Sequence, residues 1–339
     1  MPIAQHEEVL LGHGSGGTLT AELLERVFLP RLANPVLDRM DDQARLEVDG
    51  ARLAFTTDAF VVSPIFFPGG DIGSLSVHGT VNDLAVGGAE PLYIAAAFVL
   101  EEGLPLRDLE RVVASMADAA AAAGVQVVAG DTKVVGRGAC DGLYVVTTGI
   151  GRVPRGVCVA ADGARPGDAV LVSGTVGDHG MAIVSLREGL GLEGTIESDS
   201  AALNGLVAEM LVACPDVHAM RDATRGGLAA VVNEIAAQSG VGVELDERSI
   251  PVREQVRGAC ELLGFDPLVV ANEGKLVAFV PEAAAGATLA AMRAHPLGRD
   301  AACIGRVTGA NPGQVALRTG IGGSRVLVAP HGELLPRIC

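Results

Sequence analysis

A glycine-flanked segment in the first half of the chain reads Gly79-Thr80-Val81-Asn82-Asp83-Leu84-Ala85-Val86-Gly87-Gly88-Ala89-Glu90-Pro91. It closes a helical pattern that begins near Ile72, because the paired glycines favour a helix end. Beyond this turn the run Tyr93–Leu100 is apolar and strand-like. The segment therefore predicts a helix and a strand joined by a tight turn, with the Asp83 carboxylate beside it.

Helical and strand-like runs continue on both sides of this segment. The other predicted strands are Leu53–Thr57, Val125–Ala129, Leu143–Gly149, Lys275–Val280, Ala302–Val307 and Arg325–Ala329. The other predicted helices lie near Leu19–Leu32, Leu106–Ala123, His179–Glu188, Ala201–Val212, Gly227–Gln238, Val252–Leu263 and Ala283–Ala294. Loose alternation of this kind predicts an α/β (mixed α+β) protein, although periodicity does not give the strand order.

Length and composition limit the classes of protein to consider. The 339 residues suit two domains, with a boundary between Arg152 and Gly163, and 49% hydrophobic residues without tryptophan predict aliphatic cores. A net charge of −16 disfavours nucleic acid or an anionic membrane as a partner. No apolar run is long enough to cross a membrane, so we predict no membrane span, and we separately predict a cytoplasmic location.

The six cysteines form no CxxC pair and no zinc-like spacing. We expect five of them to be buried thiols in a reducing cytoplasm. The sixth ends the segment Pro336-Arg337-Ile338-Cys339, and a thiol on such a tail can carry a covalently attached group into an active site. The alternative is an accidental cysteine on a frayed tail.

The glycine-rich segment Gly12–Gly17 fits the pattern GxGxxG. A dinucleotide site of the Rossmann type would need a preceding strand and an acidic residue at the end of a second strand, and Asp38–Asp42 follows no convincing strand. A flexible arm whose backbone N–H groups meet phosphate, through Gly14 and Gly16, suits the segment better. An ordinary loop remains the third interpretation.

Three carboxylates, Asp58, Asp83 and Asp131, are each predicted at a strand end or beside a glycine turn. Carboxylate oxygens bind Mg²⁺, which can hold ATP in an acidic protein that lacks a P-loop. Asp222 offers a fourth carboxylate, and Arg225 lies just before a helix whose N-terminus could face phosphate. The alternative for each residue is a turn, a helix cap or a salt bridge.

Lys133 and Glu273 are the candidates for the chemical step. Lys133 lies two residues beyond Asp131, so it could neutralise a transferring phosphoryl group. Glu273 precedes an apolar strand, where a carboxylate could act as general base. The alternative for Glu273 is a surface Glu–Lys pair in a turn.

Several segments together resemble a known family. They are TTDAFVVSP (56–64), GTVNDLAVGGAEP (79–91), AGDTKVV (129–135), RDATRGGL (221–228), ANEGK (271–275) and PRIC (336–339). They resemble the HypE family, the hydrogenase-maturation carbamoyl dehydratases, within the ATP-dependent superfamily of aminoimidazole ribonucleotide synthetase and selenophosphate synthetase. The likeness spans nearly the whole chain.

The resemblance implies a two-domain aminoimidazole ribonucleotide synthetase-like fold and a homodimer in which N-domain strands form a shared barrel. It divides the chain into a glycine-rich arm and helix (1–35), an ATP-binding and dimerisation domain (36–155), a C-terminal α/β domain (156–328) and a flexible tail (329–339).

The resemblance also implies a reaction. A HypF-type carbamoyltransferase would load a carbamoyl group onto Cys339, and ATP-dependent dehydration would turn it into a thiocyanate. The cyanide would pass to iron on a HypC–HypD scaffold complex and become a ligand of the [NiFe]-hydrogenase centre. Lys133 would stabilise the phosphoryl group and Glu273 would remove an N–H proton. Residues that would hold ATP are Gly14, Gly16, Asp58, Asp83, Asp131, Asp222 and Arg225, and those that would hold Mg²⁺ are Asp58, Asp83 and Asp131.

Three other functions stay open at this point. Another enzyme of the superfamily, such as a selenophosphate synthetase or a thiamine-monophosphate kinase, would transfer phosphate to a different substrate. A non-catalytic thiol carrier would use Cys339 without turning over ATP. A Rossmann oxidoreductase would bind a nicotinamide.

Overall fold

The computed structural model describes residues 8–14, 16–32, 34–189, 196–332 and 335–339. The described N-terminal part is helical, with a 3₁₀ turn (Leu11–Gly14), helix α1 (Thr18–Leu23), a π-helical turn (Leu24–Phe28) and helix α2 (Leu29–Leu32). The helix predicted over residues 19–32 is confirmed. Among residues 8–14 there is no strand before the glycine-rich segment, so the Rossmann interpretation is wrong.

A first sheet forms within residues 44–152, and its described strands lie in the order β1-β2-β7-β5-β6. Its strands and the small β3–β4 hairpin are β1 (Ala44–Val48), β2 (Ala51–Phe60), β3 (Phe66–Phe67), β4 (Gly70–Asp71), β5 (Glu90–Glu101), β6 (Gln126–Val135) and β7 (Leu143–Arg152). Strand β6 pairs with β5 in parallel, and the other neighbours are antiparallel. In the described part of one chain, β6 is therefore an unpaired edge.

Two helices, α3 (Ile72–Val86) and α4 (Leu106–Ala123), cover one face of this sheet, and both have the predicted bounds. Asp71 caps α3 by accepting hydrogen bonds from the N–H groups of Gly73 and Ser74. Helix α4 begins after Pro105 and ends at Gly124, whose φ is +73°. Proline and glycine therefore mark these boundaries, as the sequence indicates.

A second sheet forms within residues 168–327, and its described strands lie in the order β14-β13-β10-β12-β8-β11-β9. They are β8 (Asp168–Val172), β9 (Ala219–Asp222), β10 (Gly242–Asp246), β11 (Leu276–Pro281), β12 (Ala302–Thr308), β13 (Val315–Arg318) and β14 (Ser324–Leu327). The helices around it are α5 (Asp178–Arg187), α6 (Asn204–Ala213), α7 (Gly227–Ser239), α8 (Glu254–Leu263) and α9 (Glu282–Ala294). The mixed α/β class is confirmed, and so are the predicted helices.

Three predicted positions of carboxylates need correction. Strand β2 continues to Phe60 and β6 to Val135, so Asp58 and Asp131 lie inside strands rather than at strand ends. The extension of β6 follows from its pairing with β5, in which Ala97 faces Asp131. Asp83 lies inside α3, about one turn before Gly87, rather than beside the turn itself.

The expectation of five buried thiols is also wrong. Cys214 and Cys260 are buried, but Cys158 and Cys303 are exposed and Cys140 is half-buried. Short, partly exposed strand and loop positions accept a small thiol on the surface, which composition does not reveal. Within the described residues, none of the helices combines the length and apolarity needed to cross a membrane.

Candidate active site

A cavity of about 590 Å³ lies between the first sheet and the second. Strand β2 and helix α3 contribute Asp58 and Asp83, and the end of β9 contributes Asp222. Glu273 and Cys339 also line this cavity. The chain thus brings together four carboxylates and one thiol that are far apart in sequence.

Each aspartate is held by its element. Thr56 Oγ1 on β2 lies 2.7 Å from Asp83 Oδ2 and 2.9 Å from the carbonyl oxygen of Asp42, so its one hydroxyl proton is shared between these two acceptors. Asp222 ends β9, where the antiparallel register sets it opposite Leu276 of β11. Backbone pairing and one threonine therefore fix the carboxylates in the cavity wall.

Burial and mutual repulsion dominate the electrostatics of these carboxylates. Burial, followed by the charges of Asp58, Asp222 and Asp42, raises the pKa of Asp83 well above its ordinary range. Burial and the charges of Asp42 and Asp58 raise the pKa of Asp222 to about 8. The pKa of Asp58 is raised by burial as well. A cavity with this charge pattern favours a bound cation.

Asp42 belongs to this cluster, although sequence reasoning considered it only as part of a dinucleotide motif. Arg221 donates from Nε to Asp42 Oδ1 at 2.7 Å and pairs through Nη1 with Glu234 Oε2 at 2.8 Å. Arg221 is therefore engaged by two wall carboxylates. This leaves Arg225 as the arginine that faces the thiol end of the cavity.

The loop that carries Glu273 is bound to both halves of the chain. Asn82 of α3 donates from Nδ2 to the Glu273 carbonyl oxygen at 3.2 Å. Asp199 accepts the Glu273 N–H at 3.0 Å and pairs with Lys275 Nζ at 3.1 Å. Only 3% of Glu273 is exposed, so the interpretation as a surface Glu–Lys pair is wrong. Within the described residues its Oε1 atom is buried without a hydrogen-bond partner.

Glu273 and Cys339 are direct neighbours. Burial, with the charges of Asp222 and Asp199, raises the pKa of Glu273 well above its ordinary range. Burial, followed by the Glu273 charge, raises the pKa of Cys339 to about 12. Arg225 opposes this, because its positive charge lowers the thiol pKa. The pair places a proton acceptor beside the sulfur atom.

The C-terminal tail places Cys339 at the cavity of its own chain. Ile338 is buried in the core formed by α3, α4 and α5, and Val61 donates its N–H to the Cys339 carbonyl oxygen at 3.0 Å. Cys339 also borders a second, smaller cavity of about 230 Å³. A frayed tail is therefore the wrong description of residues 335–339 in this state.

The glycine-rich arm lies over the thiol end of the site. Arg225 donates from Nη1 to the Gly14 carbonyl oxygen at 2.8 Å. Gly16 lines the main cavity with φ at +77°, and a Cβ atom there would lie 2.7 Å from Arg225 Cβ. Its N–H is bonded to Thr20 Oγ1 at 2.9 Å. These contacts attach the arm to Arg225.

Asp131 and Lys133 are not brought to the cavity within one chain. Both are exposed on edge strand β6, where Lys133 Nζ lies 2.5 Å from Asp131 Oδ2. This contact, first of all, lowers the pKa of Asp131. Among the described residues, no three metal-ligating side chains are already arranged around one point.

Comparisons with known proteins agree with this architecture. Residues 40–153 match the N-terminal domain of AIR synthase related proteins, and residues 165–318 match their C-terminal domain. These ranges contain almost all of the first and second sheets. The fold and the carboxylate-lined cavity thus define an AIR synthase related protein.

More specific likeness comes from relatives that match nearly the full length. The carbamoyl dehydratase HypE of Azotobacter vinelandii is 58% identical over 96% of this chain and 96% of its own. A crystal structure of a HypE–HypF complex matches with a TM-score of 0.87 and 46% identity, covering 91% of this chain and 99% of that one. A HypE structure in complex with ATP matches with a TM-score of 0.83 and 50% identity, covering 98% and 100%. The chain belongs to the HypE family of carbamoyl dehydratases.

Proposed function

We propose that this protein dehydrates a carbamoyl group on the Cys339 thiol to a thiocyanate, at the expense of ATP. The observation that carries the proposal is the placement of Cys339 beside buried Glu273 in a carboxylate-lined cavity. The thiocyanate supplies cyanide for the iron of the [NiFe]-hydrogenase centre. The identity with carbamoyl dehydratases over almost the whole chain supports this reaction.

ATP is the proposed co-substrate, and the main cavity is large enough for the triphosphate group of ATP. A HypE relative has been solved in complex with ATP. We assign ATP contacts to Gly14, Gly16 and Arg225 at the thiol end and to the aspartates of the cavity wall, Asp58, Asp83 and Asp222.

The aspartates fit Mg²⁺, because neighbouring carboxylates raise one another's pKa until a cation relieves their repulsion. Asp58 and Asp83 of this chain would hold the ion, and it would neutralise phosphate charge. Asp131, the third carboxylate of the sequence prediction, lies outside the cavity and would join this site only from a partner subunit.

The chemical step follows from what each group can do. The carboxamide oxygen attacks the terminal phosphoryl group of ATP and displaces ADP, so that this oxygen can later leave the carbon as phosphate, which is a far better leaving group. Both N–H protons must leave: one is released to solvent as the oxygen is phosphorylated, and Glu273 accepts the other as the C–O bond breaks and the C–N bond becomes a triple bond. The products are the S-cyano cysteine, ADP and phosphate, which is a net loss of one water from the carbamoyl group. The half-buried position of Cys339 on the cavity wall limits the access of bulk water to the thioester.

The proposal includes partners. A HypF-type carbamoyltransferase would load Cys339, in line with the HypE–HypF complex of a relative, and a HypC–HypD scaffold would accept the cyanide. We also propose a homodimer, supported by the exposed apolar side chains of the first sheet, such as Phe55, Tyr93 and Val134. The six cysteines without disulfides suit a cytoplasmic location.

The first experiment measures the mass of the peptide that contains Cys339. The protein is incubated with the carbamoyltransferase, carbamoyl phosphate and Mg-ATP. In a second sample, ATP is removed after loading, so that only the dehydration step takes place without it. A carbamoyl adduct on Cys339 that loses one water only with ATP supports the proposal. An unmodified Cys339 beside steady ATP hydrolysis would indicate another reaction of the superfamily.

The matched control is Cys339→Ala, which removes the acceptor and leaves the cavity carboxylates in place. It should bind ATP and give no thiocyanate. A thiocyanate found on Cys303, which is exposed, would contradict the assignment of Cys339.

A further inference from the structure

Arg187 connects the tail to the rest of the molecule at the end of α5. Its Nε atom donates to the Ser63 carbonyl oxygen at 2.5 Å. Its two terminal nitrogens, Nη1 and Nη2, donate to the carbonyl oxygens of Pro336 and Arg337. One guanidinium thus binds a wall segment and two consecutive peptide groups of the tail, and hydrogen bonds from a charged donor are stronger than neutral ones.

Backbone bonds, together with one bond from the Arg337 side chain, continue this attachment toward Cys339. Ser63 donates its N–H to the Arg337 carbonyl oxygen at 3.2 Å, and Arg337 Nε donates to the Val61 carbonyl oxygen at 3.0 Å. The Val61 N–H then meets the Cys339 carbonyl oxygen at 3.0 Å. The tail therefore lies beside residues 61–63 like a short added strand, with Arg187 at its outer end and the thiol at its inner end.

A buried histidine fixes the next peptide of the tail. His179 Nε2 lies 2.8 Å from the Ile338 carbonyl oxygen, and its Nδ1 lies 2.7 Å from Ser198 Oγ. Because a carbonyl only accepts, Nε2 carries the proton and Ser198 donates to Nδ1. Burial lowers the pKa of His179, which keeps the ring neutral. His179 is buried and donates to one carbonyl oxygen of the tail, whereas Arg187 is half-buried and can release the tail carbonyl groups that it binds.

We infer that Arg187 is a positioning residue that holds the tail docked, so that the Cys339 thiol faces Glu273, and that its release frees Cys339 to meet a partner enzyme. The role in catalysis rests on the proposed function, but the docking itself does not. Backbone bonds alone form with almost any tail sequence, whereas Arg187 adds two charge-assisted bonds to the tail and one to the neighbouring Ser63 carbonyl oxygen.

The test compares the rate at which N-ethylmaleimide alkylates Cys339 in ligand-free wild type, Arg187→Ala and Arg187→Lys, resolved by peptide mass spectrometry. Docking leaves the thiol half-buried and raises its pKa to about 12, so we expect Arg187→Ala to raise the Cys339 rate about tenfold or more. Lysine keeps the charge but lacks the planar set of donors, so Arg187→Lys should give a smaller rise.

Other cysteines of the same chain serve as internal references. Exposed Cys303 should react at the same rate in all variants, and buried Cys214 should stay unreactive unless the fold is lost. Arg293→Ala is the matched control, because Arg293 also ends a helix and donates to a carbonyl oxygen, that of Ala301, at 2.8 Å. It should leave the Cys339 rate unchanged.

An unchanged Cys339 rate in Arg187→Ala would overturn the inference. If Cys214 also becomes reactive in Arg187→Ala, the Lys variant decides: a rise at Cys339 alone supports the inference, and no rise contradicts it.

A second readout separates docking from chemistry. With carbamoylated protein, Arg187→Ala should lower the rate of dehydration at saturating ATP by about tenfold, leave the KM for ATP unchanged and not slow loading by the carbamoyltransferase. An equal loss of loading and dehydration would contradict a positioning role. Suppose that Cys339 is alkylated faster in Arg187→Ala, but that the wild-type protein makes no thiocyanate. This result would refute the proposed reaction and would still support the docking inference.

Discussion

Glu273 illustrates how a single residue acquires its character from its surroundings. Its carboxylate is buried against other acids, and one oxygen lacks a hydrogen-bond partner within the described residues. The neighbouring Arg225 lowers its pKa, although burial and the acids outweigh this effect. A carboxylate that holds a proton so readily is well suited to accept one from a bound amide.

Replacing Glu273 by Gln should therefore stop dehydration after phosphoryl transfer. We expect a loss of about 100-fold or more in thiocyanate formation, because general base catalysis contributes on that order. Since the pKa of Glu273 is raised and the base acts when deprotonated, the wild-type rate should increase as the pH rises through that pKa. Single-turnover assays of ADP and thiocyanate over pH would measure both, and full dehydration by Glu273→Gln would refute the role.

Asp222 should make the ligand-free protein less stable as the pH rises. Its pKa is 3.8 ordinarily and about 8 in the folded chain, so between these values the folded state holds more protons than the unfolded state. Its contribution to stability is then complete below about pH 3.8 and is lost as the pH rises toward 8. Asp222→Asn should reduce the loss between about pH 6 and pH 8 by at least about 1 kcal/mol.

Urea unfolding at both pH values would test this expectation. The matched control is Asp131→Asn, because Asp131 is exposed and its pKa is lowered rather than raised. It should leave the pH dependence above about pH 6 unchanged. An Asp222→Asn variant with the pH dependence of wild type would show that Asp222 is not a buried acid of this kind.

At the scale of elements, the loop between the 3₁₀ turn Pro267–Val269 and β11 carries Glu273 and depends on a glycine. A Cβ atom on Gly274 would lie 1.8 Å from the backbone oxygen of Asp199, which cannot give way without moving the loop. Asp199 in turn accepts the N–H of Glu273. The position of the general base is thus set by how closely two backbones approach.

Gly274→Ala should therefore displace Glu273. We expect a destabilisation of about 1–3 kcal/mol and slower dehydration, with ATP binding retained. Gly286→Ala is the matched control, since Gly286 lies in α9 with nothing within 4 Å of a built Cβ atom, and it should stabilise the helix by up to about 1 kcal/mol. Thermal unfolding and single-turnover rates would compare the two variants, and a fully active Gly274→Ala protein would contradict the argument.

Elements also show how far the sequence reaches. Helix α4 could be predicted to the residue, because Pro105 and Gly124 set its ends locally. Strand β6 was predicted too short, since its second half is apolar only in part and its length comes from pairing with β5. The site shows the same difference between local and long-range information. Glu273 could be proposed from its motif alone. The contact of Arg187 with the tail joins residues about 150 positions apart, and no local sequence pattern indicates it.

At the scale of the whole molecule, the exposed pair Asp131 and Lys133 needs an explanation. Both are exposed and do not line the cavity of their own chain, and they lie on an edge strand with exposed Val128 and Val134. An apolar, unpaired edge is a natural surface for a second copy. In the proposed homodimer, Lys133 would act on the cavity of the partner subunit.

Mixed dimers of Lys133→Ala and Cys339→Ala chains would test this arrangement. Each homodimer should be inactive, but the mixed dimer should regain up to about half of the wild-type activity per dimer, because one complete site combines Cys339 of one chain with Lys133 of the other. If Lys133 acts within its own chain, the mixed dimer stays inactive. Size-exclusion chromatography with differently tagged chains would verify that mixed dimers had formed.

The bond from Asn82 to the Glu273 loop has a consequence for how such proteins diversify. Helix α3 of the first half holds the backbone of a residue that belongs to the second half, while Asp83, the next residue, faces the cavity. Genetic recombination that exchanges one half for that of a distant relative would separate Asn82 from the loop whose backbone it binds. The two halves are therefore expected to be inherited as one unit. In a chimaera joined near residue 160, each domain should fold, but Glu273 should be displaced relative to the carboxylates of the first half.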